Sequence, residues 1–307
     1  MSEDDPQVET VARTIAAARP DIIALQGIDY DHDLTALRAL GRRVAHYGYD
    51  MPHALALRPN SGMATGLDLD GDGRLGRARD AQGYGEFAGQ GGMAVLSRFP
   101  ILNDDVRDLS GYLWRDMPGA QLQLMDGSPL LSPGVAAVQR LSTVAHWDVP
   151  IQVGDTTLRL LTFHASPPVF DGPEDRNGRR NHDEIVFWLH YLDGLLGEAP
   201  VKRFVLAGDA NLDPVDGEGR KAAIRRLLAD DRLADPKPMR DSAEAKVGAH
   251  KGDPHLDTVD WPAPDPGSLR VSYVLPSIDL RAVDSGMTRG EAEASRHRLV
   301  WVDLLVK

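Results

Sequence analysis

Apolar residues at the start of the chain recur at helical spacing and then gather into a short unbroken run. Val8, Val11 and Ile15 share one face behind Asp5-Pro6, a capping acid followed by a first-turn proline, so the first element reads as a helix. Asp21-Ile-Ile-Ala-Leu25 then predicts a strand covered on both faces, closed by Gln26-Gly27. Leu34, Leu37 and Leu40 behind Asp33 give a second helix. Further strands are predicted at Met93–Leu96, Leu158–Phe163, Arg203–Ala207, Leu269–Leu275 and Arg298–Val306. A long helix from about Asn181 to Leu196 places Ile185, Trp188, Leu189 and Leu192 on one stripe.

Strands separated by helices predict a layered α/β domain, and residues 1–307 read as one unit with no convincing linker or repeat. Three stretches, 52–92, 102–141 and 236–267, lack a regular pattern, and loops of such length are more often functional than idle.

Composition narrows the chemistry. The formal charge of −12 disfavours the clustered cations that phosphate neutralisation needs, so nucleic acid is not an expected partner. No run is long and apolar enough to span a bilayer. The absence of cysteine removes disulfides, thiolate metal sites and thiol nucleophiles. Met1 to Pro6 has neither a basic start nor an apolar core, so no signal peptide is expected in this sequence, which suits a cytoplasmic protein or a truncated secreted one.

Polar residues stand at the ends of apolar strands in three places: His164 after Leu-Leu-Thr-Phe, Asp209 and Asn211 within Gly208-Asp-Ala-Asn211, and His297 before Leu-Val-Trp-Val-Asp-Leu-Leu. Strand ends are where α/β sheets place ligand sites. Alone, Gly-Asp-Ala-Asn also suits a tight turn. Its neighbours add order: Gly89-Gln-Gly-Gly-Met-Ala-Val-Leu-Ser-Arg98 and the run from His164 to Glu184 precede it, and Leu269-Arg-Val-Ser-Tyr-Val-Leu-Pro-Ser277 and Ala294-Ser-Arg-His-Arg-Leu-Val-Trp-Val-Asp303 follow. Together these segments resemble a bacterial, phosphatase-like branch of the endonuclease/exonuclease/phosphatase superfamily, over nearly the whole chain from Asp5.

That resemblance implies a four-layer α/β/β/α sandwich and phosphoester hydrolysis with Mg²⁺ or Mn²⁺. It implies roles for matching residues: His164 and His297 contact phosphate, Asp209 handles the attacking water, and Asn211 touches the phosphoryl oxygens. The departures are equally specific. The strand that would bring an asparagine to the metal lies before Asp5 and is missing. The family's metal-binding glutamate falls on Gly27, the aspartate of its penultimate strand on Ser272, and the aspartate that orients the last histidine on Arg296. A hard cation relies on carboxylate oxygens, so metal binding at the usual place is expected to be weak or absent. Asp29, ahead of Asp31, is the nearest substitute for position 27 in an extended segment.

A second cation site is suggested by Asp68, Asp70 and Asp72 followed by Gly73, the first half of an EF-hand-type calcium loop, although Arg79 stands where the bidentate acid belongs and Asp80 follows it. The alternative is a solvated Asp/Gly-rich loop. His146-Trp-Asp148 is a candidate pocket wall, and Asp257 and Asp260 are expected to shape the pocket. The run Arg176–Arg180 suits a phosphate, but Arg179 and Arg180 more often pair with nearby acids such as Glu174 and Glu184. His182, His190, His250 and His255 lack ligand spacing and read as structural.

Two functions follow. One is a phosphoesterase acting on a small phosphate ester. The other, favoured by Gly27, Ser272 and Arg296, is a non-catalytic descendant with a binding or assembly role. A missing strand also leaves a sheet edge open to a partner strand or a second copy of the chain.

Overall fold

The computed structural model of the protein describes residues 5–245, 251–262 and 266–306, so His250 lies outside them. Helix α1 (Pro6–Ala18) is capped by Asp5, whose carboxylate accepts the Gln7 N–H, and leads into strand β1 (Ile22–Ile28). Helix α2 (Thr35–His46), strand β2 (His53–Leu55) and strand β3 (Gly92–Ser97) follow. After β4 (Arg107–Asp108) and the short helix α3 (Pro133–Ala136) come β5 (Ala145–Val153), β6 (Thr156–His164), helix α4 (Arg176–Leu192), β7 (Phe204–Asp209) and helix α5 (Ala222–Leu228). The chain closes with β8 (Val259–Asp260), β9 (Ser268–Leu269), β10 (Ser272–Pro276), β11 (Arg281–Met287) and β12 (Val300–Leu305).

Two sheets carry the fold. One runs β1-β3-β2 and the other β10-β7-β6-β5-β4, with β6 and β7 parallel and the remaining neighbours antiparallel. Ala12, Ile15, Leu37, Leu40 and Val44 of α1 and α2 pack on Ala94 and Leu96 of β3. Alternation along β3 turns Met93 and Val95 the other way, onto Trp147, Val149 and Leu160 of the second sheet. That sheet's far face receives Ile185, Phe187 and Trp188 of α4. The order is therefore helices, sheet, sheet, helices. Fully burying each such side chain contributes roughly 1.5–3 kcal/mol, which makes these interfaces the main source of stability.

The long stretches expected to be irregular are pinned by buried polar groups. Arg180 donates to the carbonyls of Leu141, Gln82 and Arg140, and Arg179 to those of Glu174 and Gln123. Among the described residues neither makes a salt bridge, because unpaired loop carbonyls take the guanidinium N–H groups, although Arg180 still acts on the Glu184 charge as expected. Glu184 accepts the N–H groups of Thr143 and Ser166, fastening two loops to α4. Burial pushes its carboxyl up to about 7, opposed by Arg180 and by those two donors.

Strand β5 was not legible as an apolar run, since His146, Asp148 and Pro150 interrupt it, yet it lies buried from Ala145 to Pro150. The segment Leu269–Leu275 is two strands, not one. It breaks where the Arg270 N–H turns to Asp213 and the Val271 N–H to the Thr258 hydroxyl.

Candidate functional site

Strands β6, β7 and β10 are neighbours, and their register brings three of the sequence positions side by side. His164 is opposite Asp209 across the parallel pair, and Ser272 is opposite Asp209 across the antiparallel pair. Asn211 follows in a left-handed conformation at φ 49°, its own N–H held by Asp209 at 2.8 Å and its side chain donating to the Ala165 carbonyl at 2.8 Å. His297 arrives from the loop before β12, fixed by a bridge to Val259 and an edge-on contact with Trp261.

One carboxylate oxygen of Asp209 therefore faces two imidazoles, His164 Nε2 at 3.8 Å and His297 Nδ1 at 3.7 Å. Asp209 is nearly buried, whereas His297 keeps about a third of its side-chain surface. Burial holds the His164 imidazole below its ordinary value, opposed by the Asp209 charge and reinforced by His297. The His164 imidazole is thus neutral near pH 7, and its Nδ1 has no hydrogen-bond partner. His164, Asp209, Asn211 and His297 all line one cavity of about 1950 Å³.

The positions where acids were missing from the sequence stay without acids in space. Gly27 sits in a bulge of β1 at φ 72°, outside the ladder with β3. Ser272 offers a hydroxyl at 3.5 Å from His297 Nδ1. Arg296 lines the same cavity. Asp29, the expected substitute, accepts the Gly91 N–H at 2.8 Å. Asp31 is not available either: it accepts the Thr35 and Ala36 N–H groups at the start of α2, the Ala36 bond foremost in holding its carboxyl below the usual range. Asp213 lines the cavity but receives the Val215, Asp216 and Arg270 N–H groups. Mg²⁺ and Mn²⁺ take oxygen-rich sets built on carboxylates. Asp209 with two imidazoles and a carboxamide supplies a single carboxylate and does not make such a set.

The Asp/Gly loop behaves differently from its sequence reading. Among the described residues, the ligand atoms of Asp68, Asp70 and Asp80 lie within 4.8 Å of one another, and Asp72 is not in the group. Asp80 is nearly buried, and the N–H groups of Leu69 and Arg77 hold its carboxyl low. The tight turn explains the exchange: Asp72 points its carboxylate back at the Arg74 N–H, leaving the acid beyond Arg79 to enter the group. The triad could hold a metal ion.

His146 is no pocket wall. It lies fully buried among Phe163, Phe187 and Trp188, with Nδ1 2.7 Å from the Ser142 hydroxyl and Nε2 2.9 Å from the Glu184 carbonyl. A carbonyl only accepts, so Nε2 carries the proton. Burial pushes its pKa down to about 4. Asp148 binds Arg159 and the Tyr191 hydroxyl. Asp257 and Asp260, expected to shape the pocket, do not line it; Asp260 instead binds Arg240 and Arg298, the residue after His297. His182 pairs with Asp183, and His255 with Asp253.

The chain belongs to the endonuclease/exonuclease/phosphatase family, whose model matches residues 2–297. Among solved structures it resembles an endonuclease/exonuclease/phosphatase from Beutenbergia cavernae, with TM-score 0.57 and 18% identity, covering 97% of this chain and 65% of that one. A family protein from Leptotrichia buccalis gives TM-score 0.55 and 16% identity over 100% and 96% of the two chains. TDP2 of D. rerio in complex with a single-strand DNA product gives 0.52 and 13% over 98% and 92%. At these identities the likeness extends to the fold alone. Among curated protein sequences no relative is found.

Proposed function

We propose that this chain is a family member with weak or lost metal-dependent phosphoesterase activity, whose cleft serves binding or assembly. The observation that carries this reading is that Gly27 and Ser272 line the cleft with Asp209 where the resemblance calls for acids, and that the lining acids Asp29 and Asp213 accept backbone N–H groups. Charge developing on a phosphoryl group is normally offset by a bound cation, an effect of several kcal/mol, and about 1.4 kcal/mol is tenfold in rate. Without it Asp209 repels the phosphate. Hydrolysis of bis(p-nitrophenyl) phosphate in Mg²⁺ or Mn²⁺ tests the reading: turnover at the background rate is expected, and robust turnover abolished by Asp209→Ala overturns it.

One observation favours a second reading, an active phosphoesterase on a small phosphate ester. Two imidazoles converge on one carboxylate beside Asn211, a geometry suited to gripping phosphate and steering water. The same assay decides between the two. Independently of either, the Asp68-Asp70-Asp80 triad is proposed to bind a structural Ca²⁺, since three clustered carboxylates repel one another until neutralised.

A further inference from the structure

His164 Nε2 and His297 Nδ1 stand 3.8 and 3.7 Å from the Asp209 carboxylate, beyond hydrogen-bond reach, so no direct bond fixes how these side chains meet. Their spacing has to come from the main chain that carries them. For His164 and Asp209 that main chain is the end of the parallel ladder between β6 and β7, in which they are the last pair. The Ala165 N–H still reaches the Asp209 carbonyl at 2.9 Å, and there the two chains part, Ser166 running on toward α4 and Ala210 toward α5. Parallel strands have no hairpin to tie their ends, so the separation of these ends depends on bonds made across the fork.

Asn181, in the second turn of α4, lies across that fork. Its carboxamide nitrogen donates to the Ser166 carbonyl and to the Ala210 carbonyl, each at 2.7 Å, one from each diverging chain. Carbonyls only accept, which identifies the nitrogen as the end that faces them. Asn181 and Ala210 are fully buried and Ser166 nearly so, a setting in which such bonds are strong and their loss is costly. The Asn181 Oδ1 has no hydrogen-bond partner, so the side chain acts through its two donors. Glu184, three residues on and on the same side of the helix, accepts the Ser166 N–H, so α4 holds Ser166 by its N–H and its C=O together. Ile185, Phe187 and Trp188 seat α4 in the main core, which makes the helix a firm reference for the fork.

We propose that Asn181 is a positioning residue of the cleft, whose two hydrogen bonds set the separation of the strand ends carrying His164 and Asp209. That separation in turn sets the distance from imidazole to carboxylate. The inference rests on the cleft being the functional site, and holds whether the site binds or hydrolyses. An apolar side chain at 181 leaves two buried carbonyls without a donor, and each then turns aside to find another. The strand ends splay, and the Asp209 charge acts on His164 from farther away.

The test is a double-mutant cycle on the whole chain, labelled for NMR, with the ring ¹⁵N shifts of His164 at neutral pH as the readout. Asp209→Asn is made in the parent and in Asn181→Ala, and the change it causes at His164 is compared. That change is expected to fall to about half or less in the Asn181→Ala background. Val186→Ala is the control, since it hollows the same helix's buried face without removing a donor. There the full change is expected to persist, although stability falls. The proposal is overturned if Asp209→Asn moves His164 equally in the parent and Asn181→Ala, or if Val186→Ala weakens the effect as much. It is also overturned if Asp209→Asn leaves the parent's His164 unmoved, because no spacing is then being set. Should Asn181→Ala not fold, Asn181→Ser, which keeps one donor, replaces it under the same criteria. No phosphoester enters the measurement, so its failure counts against Asn181 and leaves the assay of lost activity to decide the function.

Discussion

Ser272 and Asp209 face each other directly across β10 and β7, so the side-chain neighbour of Asp209 on the next strand is a hydroxyl and not a second carboxylate. The same hydroxyl is the side-chain neighbour of His297 Nδ1 at 3.5 Å, a long and weak contact that leaves the ring's tautomer loosely set.

Asp209 is the charge that resists burial's depression of His164. Replacing Asp209 with asparagine keeps its shape but removes that charge. The His164 titration, followed by NMR, is then expected to move to still lower pH. A rise, or no change, would show that the two side chains do not face each other in solution.

His146 makes stability depend on pH. Its folded pKa, about 4, lies below the unfolded value of 6.5, so the unfolded chain binds the extra proton between these limits. The contribution is complete above pH 6.5 and is lost as pH falls toward 4. It amounts to about 3 kcal/mol at most, from 1.36 kcal/mol per unit. Glu184 slopes the opposite way, because its folded pKa of about 7 lies above the ordinary carboxyl value. The parent must therefore be compared with His146→Gln, where the difference in unfolding free energy is expected to shrink on acidification. A difference constant from pH 7 to 4 would contradict the assigned neutral tautomer.

Much of this was legible in the sequence and some was not, for physical reasons. The runs at Ile22, Met93 and Phe204 announced themselves because strands covered on both faces are continuously apolar. Strand β5 did not, because its interior polar groups are satisfied by partners on other elements, the Glu184 carbonyl for His146 and Arg159 for Asp148, that no local pattern reveals. His164, Asp209, Asn211 and His297 stand out because α/β sheets place ligand sites at strand ends, and the fold brings all four to one cavity. The place of Asp80 in the acidic triad was missed, because it depends on how the Asp72–Arg77 turn folds back.

That triad separates the acids by role. Ca²⁺ is expected to raise the melting temperature of the parent and of Asp72→Ala alike. The Ca²⁺-dependent part of the rise is expected to vanish in Asp68→Ala and Asp80→Asn. Asp80→Asn also weakens the acceptor of two N–H groups, so only the difference with and without Ca²⁺ is diagnostic. Loss of the calcium effect in Asp72→Ala with retention in Asp80→Asn would restore the regular EF-hand reading.

Restoring acids to the cleft is expected to rank the three departures unequally. Gly27→Glu forces an L-residue into φ 72°, a left-handed conformation costing about 1–2 kcal/mol, so part of any gain is lost to strain. The open space around Gly27 removes steric objection but not this backbone cost. Ser272→Asp needs no such change: it sets a carboxylate opposite Asp209 and within reach of His297, supplying a second hard ligand and a fixed tautomer together. Arg296→Asp removes a cation from the cavity wall but adds an acid at an exposed position. Mn²⁺ affinity by calorimetry is therefore expected to rise most in Ser272→Asp among single variants and further in Ser272→Asp/Arg296→Asp, where a cation in the cavity wall no longer opposes the bound ion. Aryl phosphodiester hydrolysis should follow the same order. If Gly27→Glu alone gives the largest gain, the bulge in β1 rearranges in solution and the carboxylate shortage has its centre there, not at Ser272.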